Sequence, residues 1–143
     1  MSDMIYRVEE GIEKIIELTK GMRDDGIKPV LISLHAPAPH SGKTYLMGRM
    51  TNAFWKKGIK THGTNDFEDA QFYEREKNYD VLMLHIGTGT TGQWFADYKV
   101  KEATKRSIDV HVYIYNPHMN SPELEKIVKY YDVIIINPNS KRK

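Results

Sequence analysis

Short, almost wholly apolar segments alternate with segments of helical periodicity along most of the chain. Uninterrupted apolar runs are typical of strands buried on both faces of a sheet, whereas half-exposed strands alternate apolar and polar residues. Parallel strands need a long crossover between them, usually a helix. The pattern therefore predicts an α/β fold with three layers, α/β/α, around a five-stranded parallel sheet. The predicted strands are Val30–Leu34, Ile59–His62, Tyr79–Ile86, Ile108–Tyr115 and Asp132–Asn137.

The segments between these strands carry the helical signals. From Ile5 to Met22 apolar residues recur at helical spacing, and Gly26 offers a stop, so 1–26 is predicted to be a leading helix that packs without taking part in chemistry. A second helix is predicted from Lys43 to Lys57, closed by Gly58. Further helices are predicted near Asp69 to Lys77, around Trp94 to Ala103, and after Ser121-Pro122.

Length and charge narrow the class of protein. A chain of 143 residues is expected to form one domain, 1–143, with 139–143 as a basic tail. The net charge of +2 is too small for the concentrated basic face that nucleic-acid binding requires. Cysteine is absent, which excludes disulfides and thiolate metal sites. No apolar run approaches the roughly 20 residues that span a bilayer, and Met1–Glu10 lacks a signal peptide's apolar core. We therefore expect a cytoplasmic protein without membrane contact.

The most specific motif runs from Ala36 to Thr44, between a predicted strand and a predicted helix. It ends in Ser-Gly-Lys-Thr, and the order strand, loop, helix is the context of a phosphate-binding loop, or P-loop. Backbone N–H groups at a helix amino terminus form a nest for anions. The motif therefore predicts binding of a nucleotide, ATP with Mg²⁺. The predicted nucleotide-binding residues are His40, Ser41, Gly42, Lys43, Thr44 and Tyr45.

Two residues of this loop have specific expected roles, and two others depart from the usual pattern. We expect Lys43 to neutralise the outer phosphates during catalysis and the Thr44 hydroxyl to coordinate Mg²⁺. The usual pattern is G-x-x-x-x-G-K-[ST], but Pro37 replaces its first glycine and Pro39 follows. Proline has no N–H to donate. Since the amides that wrap phosphates come mainly from the later half, His40–Thr44, the prolines are expected to shape the loop.

On these residues the chain resembles the uridine kinase and phosphoribulokinase family of P-loop kinases, over most of its length and in a short form. The resemblance implies a small-molecule phosphotransferase that moves a phosphoryl group from ATP to a small hydroxyl-bearing acceptor. It also implies that Asp66 is the general base for the acceptor or a ligand of Mg²⁺. The stretches that carry it, besides SGKT, are THGTNDFEDAQFY at 61–73, YDVLMLHIG at 79–87 and YYDVIIINP at 130–138.

Two departures from that family concern catalysis. His85 occupies the strand-end position where the family has an acid, and Mg²⁺ prefers oxygen ligands. Asp80, Asp109 and Asp132 begin their strands, so they are expected at the other edge of the sheet. The family also has an arginine-bearing lid before its last core strand, whereas Asn116–Tyr131 contains no arginine. A lid excludes water and supplies charge to the transferred group, so rapid kinase turnover is not expected here.

Other interpretations of the same residues remain open. Asp66 equally fits a turn or helix-capping position, and His85 equally fits a γ-phosphate sensor or a space-filling residue. If neither residue takes part in catalysis, the protein is a catalytically weak nucleotide-binding or regulatory module. It is also similar to the GTP-binding accessory protein of molybdopterin dinucleotide synthesis, which joins SGKT to a YDV strand, although no N-K-x-D guanine-reading motif occurs. Histidines near the predicted strand ends lack the tight spacing of a metal site; they are His35, His40, His62 and His85.

Overall fold

A computed structural model of the chain describes residues 5–35, 43–64, 78–85, 108–115 and 131–136. The helices and strands in those ranges are, in chain order, β1 (Ile5–Arg7), α1 (Val8–Asp24), β2 (Val30–His35), α2 (Lys43–Lys56), β3 (Thr61–Thr64), β4 (Val81–His85), β5 (Val110–Tyr115) and β6 (Val133–Ile136). The strands form one six-stranded sheet in the order β1-β6-β5-β2-β4-β3. All neighbouring pairs are parallel. The predicted α/β class with a parallel sheet is confirmed, but the prediction of five strands is wrong.

The additional strand is β1, which lies within the segment predicted to be helical. Ile5 to Arg7 pair in parallel with Ile134 to Ile136 of β6, and the helix begins only at Val8. Three residues are too few for a strand pattern to be distinguished from the first turn of an amphipathic helix. Ile5–Arg7 form a strand and not a helical turn, because the backbone groups along the outer side of β6 need hydrogen-bond partners. From Val8 onward the predicted helix is confirmed.

The first face of the sheet is covered by α1 and α2. Both helices contact the sheet and each other, and their apolar side chains form one continuous core with alternate residues of the strands. Neither α1 nor α2, the helices within the described ranges, is long and apolar enough to cross a bilayer. The fully buried members of this core include Ile15, Leu46, Met50 and Phe54 from the helices and Val30, Ile32, Leu34, Val81, Met83, Val112 and Ile135 from the strands.

The second face of the sheet is also buried. Leu31, Leu82 and Ile134 point away from the two helices and have no solvent exposure. The helices predicted near 69–77, around 94–103 and after 121 lie outside the described residues.

The ends of the two helices follow the sequence signals. Gly26 and Gly58 have φ angles of +93° and +78°, a backbone conformation that glycine adopts without steric cost. They follow helices that end at Asp24 and Lys56, close to the predicted ends. Ile59 was predicted to begin the next strand, but its N–H donates to the carbonyl of Phe54 at 3.0 Å. Ile59 therefore caps the carboxyl end of α2, and β3 begins two residues later, at Thr61.

The order of the strands places β2 between β4 and β5, and the chain leaves β2 and β5 in opposite directions. After β2 the chain runs to β3 at one side of the sheet, and after β5 it runs to β6 at the other. Adjacent strands of this kind define a topological switch point, where open parallel sheets bind their ligands beyond the carboxyl ends of the strands. His35 of β2 and Tyr113 of β5 are register partners at this point.

Alanine substitutions at two glycines of α1 should change the free energy of unfolding in opposite directions. A Cβ at Gly11 would lie 2.6 Å from Cγ1 of the buried Ile135, whereas a Cβ at Gly21 meets nothing within 4 Å. We expect Gly11→Ala to lower the free energy of unfolding by about 1–3 kcal/mol through overpacking. Gly21→Ala should raise it by up to about 1 kcal/mol, because alanine favours the helix. Urea unfolding followed by circular dichroism measures both, and equal signs would contradict this packing of α1 on β6.

Candidate functional site

The structure describes both flanks of the predicted phosphate loop. β2 ends at His35, in the interior of the sheet, and α2 begins at Lys43, with Thr44 as its second residue. The predicted order of strand, loop and helix is therefore confirmed at both ends. Residues 36–42 lie outside the described residues, and with them the predicted nucleotide-binding residues His40, Ser41 and Gly42.

Tyr45, the last of the predicted nucleotide-binding residues, lies on the outer side of α2. Its side chain is exposed, and its hydroxyl accepts a hydrogen bond of 2.7 Å from Nη1 of Arg49. The Arg49 guanidinium also lies 5.6 Å from the centre of the Tyr45 ring, within range of a cation–π interaction. Arg49 in turn forms an ion pair with Glu9 of α1. Arg49 thus contacts both Tyr45 and Glu9 on the exposed side of α2, and no sequence motif indicated these contacts.

The carboxyl end of β4 is occupied by a histidine, as predicted. β4 ends at His85, whose register partner in β2 is Leu34, so the backbone of His85 lies beside the end of the central strand. Asp66, the predicted general base and Mg²⁺ ligand, lies outside the described residues. Within the ranges that are described, no three histidine, aspartate or glutamate residues are grouped to hold a metal ion.

Three aspartates lie at the opposite, amino edge of the sheet. Each lies one residue before a strand and accepts a hydrogen bond from a backbone N–H near the start of a neighbouring strand. Charged acceptors make such bonds stronger than neutral ones. These carboxylates therefore hold the strands in register and are not available at the carboxyl edge. The oxygen–nitrogen distances are 2.9 Å for Asp80 and Lys60, 2.8 Å for Asp109 and Leu31, and 2.8 Å for Asp132 and His111.

Asp132 shows how this role affects ionisation. Burial alone would raise the pKa of Asp132, but the hydrogen bonds and the charge of His111 together lower it. A carboxyl group whose pKa is lower in the folded state stabilises the fold above its unfolded pKa. That contribution is lost as the pH falls through the lowered value. It is small here, because half of the Asp132 side chain is exposed and solvent screens its interactions.

A buried polar cluster lies on the second face, beneath the end of β2. We define the His35 cluster as Ser33, His35, Tyr113 and Tyr131, all of which are buried. His35 Nε2 and Ser33 Oγ are 2.9 Å apart, a hydrogen bond between side chains two residues apart on the same strand. The His35 ring meets the Tyr131 ring edge-on at 5.2 Å, and the Tyr131 and Tyr113 rings are 5.0 Å apart. The only sequence signal for this cluster is a pair of polar residues on one face of an otherwise apolar strand.

The hydroxyl of Tyr113 is buried and has no hydrogen-bond partner among the residues described. Burial, with a smaller contribution from Tyr115, raises the pKa of Tyr113 to about 12. Burial, followed by the influence of Tyr113, raises the pKa of Tyr131 as well. Both hydroxyls are therefore protonated at neutral pH and act as neutral groups within the His35 cluster.

Comparison with known proteins gives a structural neighbour but no family. No family model matches the chain, and no curated protein matches it. Among solved structures, the chain is similar to a possible uridine kinase from Bacillus stearothermophilus, with a TM-score of 0.47 and 10% sequence identity. The match covers 85% of this chain and 99% of that one. At this identity and TM-score the likeness assigns no function, and the family resemblance of the sequence remains a prediction.

Replacing Tyr113 by phenylalanine tests whether its buried hydroxyl, which has no partner among the described residues, costs stability. Leaving a buried donor unsatisfied costs about 1–3 kcal/mol, so Tyr113→Phe should leave the free energy of unfolding at pH 7 unchanged or raise it. Between pH 10 and 12 an exposed tyrosine of the unfolded chain ionises while Tyr113 in the folded protein does not. Wild type should therefore lose stability over this range, and the variant should lose less. Urea unfolding at both pH values is the measurement, and a marked loss at pH 7 would show that the hydroxyl has a partner.

Proposed function

We propose that this protein is a P-loop protein that binds ATP with Mg²⁺ and acts as a small-molecule phosphotransferase of the uridine kinase-like type. The observation that carries the proposal is the position of the Ser41–Thr44 sequence, which follows the central strand β2 and ends in the first two residues of α2. A chance Ser-Gly-Lys-Thr sequence elsewhere in the chain would not have a strand before it and a helix after it.

The start of α2 has the physical properties that a phosphate site needs. The first N–H groups of a helix have no partner within the helix, and the helix dipole makes this end positive. Lys43 and Thr44 are the first two residues of α2, so the proposed charge and hydroxyl belong to the same helix terminus. β2 is buried along its entire length, which gives the loop a rigid starting point. Phosphates at this end of α2 would also lie beyond the carboxyl edge of the sheet.

The donor set suits Mg²⁺ in part. Mg²⁺ is usually held by one or two protein oxygens together with phosphate oxygens and water. In the proposal Thr44 supplies the protein oxygen and Asp66 serves as the base, while His85 at the end of β4 supplies no oxygen. Bound Mg²⁺ would neutralise charge that develops on the transferred phosphoryl group. The residues present therefore fit a magnesium ion that is held mainly by the nucleotide.

In the proposed reaction, Asp66 accepts the proton of the acceptor hydroxyl as that oxygen bonds to the terminal phosphorus of ATP. The bond from that phosphorus to the bridging oxygen breaks, and ADP leaves with the electron pair. Asp66 is two residues beyond the end of β3, so the chain keeps it within about 7 Å of that strand end. β3 ends at the same carboxyl edge as β4. This connectivity supports a base on the acceptor side of the phosphate loop.

A second candidate function is favoured by His85. Without a carboxylate at the end of β4, and without arginine between Asn116 and Tyr131, the site lacks groups that accelerate phosphoryl transfer. The protein would then be a catalytically weak nucleotide-binding or regulatory module. It would still bind the nucleotide through the same loop, so the two functions differ only in turnover.

Nucleotide binding is tested by thermal shift with the Mg²⁺ complexes of ATP, ADP and GTP. Wild type should melt at a higher temperature with ATP, since a ligand at 100 times its Kd stabilises by about 2.7 kcal/mol. Lys43→Ala should lose most of this shift while melting normally alone. Lys56→Ala, at the other end of α2, is the matched control and should keep the full shift. No shift of wild type with any nucleotide would refute the proposal.

Turnover is tested by ADP release in the presence of nucleosides, sugars and other small hydroxyl compounds. An acceptor should stimulate ADP release by wild type, and Asp66→Asn should reduce that rate about 10²- to 10⁴-fold with ATP affinity retained. Asp80→Asn makes the same change at the amino edge of the sheet and should leave the rate unchanged. If no acceptor stimulates wild type, the phosphotransferase proposal fails and the binding module stands.

A further inference from the structure

We propose that His35 is a positioning residue for the phosphate loop, held in place by Ser33 and Tyr131. The inference rests on the proposed nucleotide binding. It goes beyond that proposal, because the proposed function gives no role to any residue of the His35 cluster. Its basis is the coincidence of two features at the end of β2. Near its carboxyl end β2 carries two buried polar side chains, Ser33 and His35, that are hydrogen-bonded to each other. The phosphate loop begins at the residue after His35, Ala36.

The first step concerns Ser33 and His35. Both side chains lie on the second face of β2, with solvent exposures of 0% and 5%. A buried hydroxyl and a buried imidazole each cost free energy unless they are hydrogen-bonded. The bond of 2.9 Å between Oγ and Nε2 removes part of that cost only while both residues stay extended. The pair therefore fixes the conformation of the strand up to its last residue.

The second step concerns the far side of the imidazole ring. Tyr131, just before β6, meets the His35 ring edge-on, and Tyr113 of β5 contacts Tyr131. Tyr113 is also the register partner of His35 across the β2–β5 ladder. The ring is thus held by groups from three parts of the sheet. Rotating the His35 ring would break this edge-on contact with Tyr131.

The third step connects this ring to phosphate binding. The direction in which the backbone leaves His35 sets where the loop begins. Pro37 and Pro39 each have a fixed φ angle, and proline also restricts the residue before it. Because proline fixes φ, the sequence between His35 and Lys43 has fewer rotatable bonds with which to absorb a change of direction at His35. Groups that contact the phosphates must be held close to their productive geometry, so a shift of the loop is expected to weaken phosphate binding.

The experiment compares His35→Leu with a matched histidine. His111 is buried on the same face of β5 and is the register partner of Ser33, but it contacts Asp132 at the amino edge. Isothermal titration should give an affinity for Mg²⁺–ATP at least ten-fold weaker in His35→Leu than in wild type. The affinity for Mg²⁺–tripolyphosphate should fall by the same factor, since the loop contacts phosphates. His111→Leu should lose comparable thermal stability yet bind both ligands within two-fold of wild type.

Two further variants separate positioning from general damage. His35→Gln can keep a hydrogen bond to Ser33, because its terminal amide reaches the place of Nε2, and should recover most of the affinity. Ser33→Ala should weaken binding, and combining it with His35→Leu should add nothing, since Ser33 acts through His35. If His35→Leu fails to fold, Ser33→Ala and His35→Gln decide the question on their own.

The outcomes distinguish this inference from the proposed function. If wild type binds neither ATP nor tripolyphosphate, both fail together. If wild type binds them and the His35 and Ser33 variants bind equally well, only the positioning role is overturned. An equal loss of affinity in His111→Leu would likewise overturn it, because the effect would then follow from lost stability and not from the end of β2.

Discussion

The hydrogen-bonded ladders on both sides of β2 are the constraint on which the remaining structure depends. β2 pairs with β4 along one side and with β5 along the other, and every one of its side chains is buried. A strand enclosed in this way leaves no backbone group for water and no face for polar residues. The polar residues that it does contain, Ser33 and His35, therefore bond to each other. The same enclosure makes the end of β2 a fixed point from which a loop can be aimed, as a precise binding site requires.

Much of the fold could be predicted because its strands are buried on both faces. Such strands are apolar throughout, so β2, β4, β5 and β6 stand out in the sequence without any knowledge of their neighbours. β1 could not be predicted in this way, because the pairing of Ile5–Arg7 depends on the free side of β6, which is far away in the sequence. The start of β3 was misplaced for a related reason. Ile59 is apolar and buried, but its N–H completes the end of α2.

The residues of the site likewise fall into two groups: those that the local sequence indicates, and those that only the folded structure brings together. The Ser-Gly-Lys-Thr sequence is local, and both the strand before it and the helix after it were predicted. The strand-start aspartates were also assigned to the amino edge from their positions in the chain alone. The groups that contact the end of β2 and the middle of α2 come from elsewhere in the chain: Tyr131 meets His35, and Glu9 meets Arg49. No periodicity or spacing relates these pairs, so only the folded structure could reveal them.

The lengths of the strands have a consequence for how molecules of this protein meet one another. Within the described residues, the outermost strands β1 and β3 have three and four residues, whereas the central β2 has six. The margin of a sheet attracts other chains through its unpaired N–H and C=O groups, and short outer strands present few of them. Extending the sheet from one molecule into the next would gain little hydrogen bonding on either side. The short described strands at the two margins thereby limit the backbone surface through which this sheet could pair with another copy.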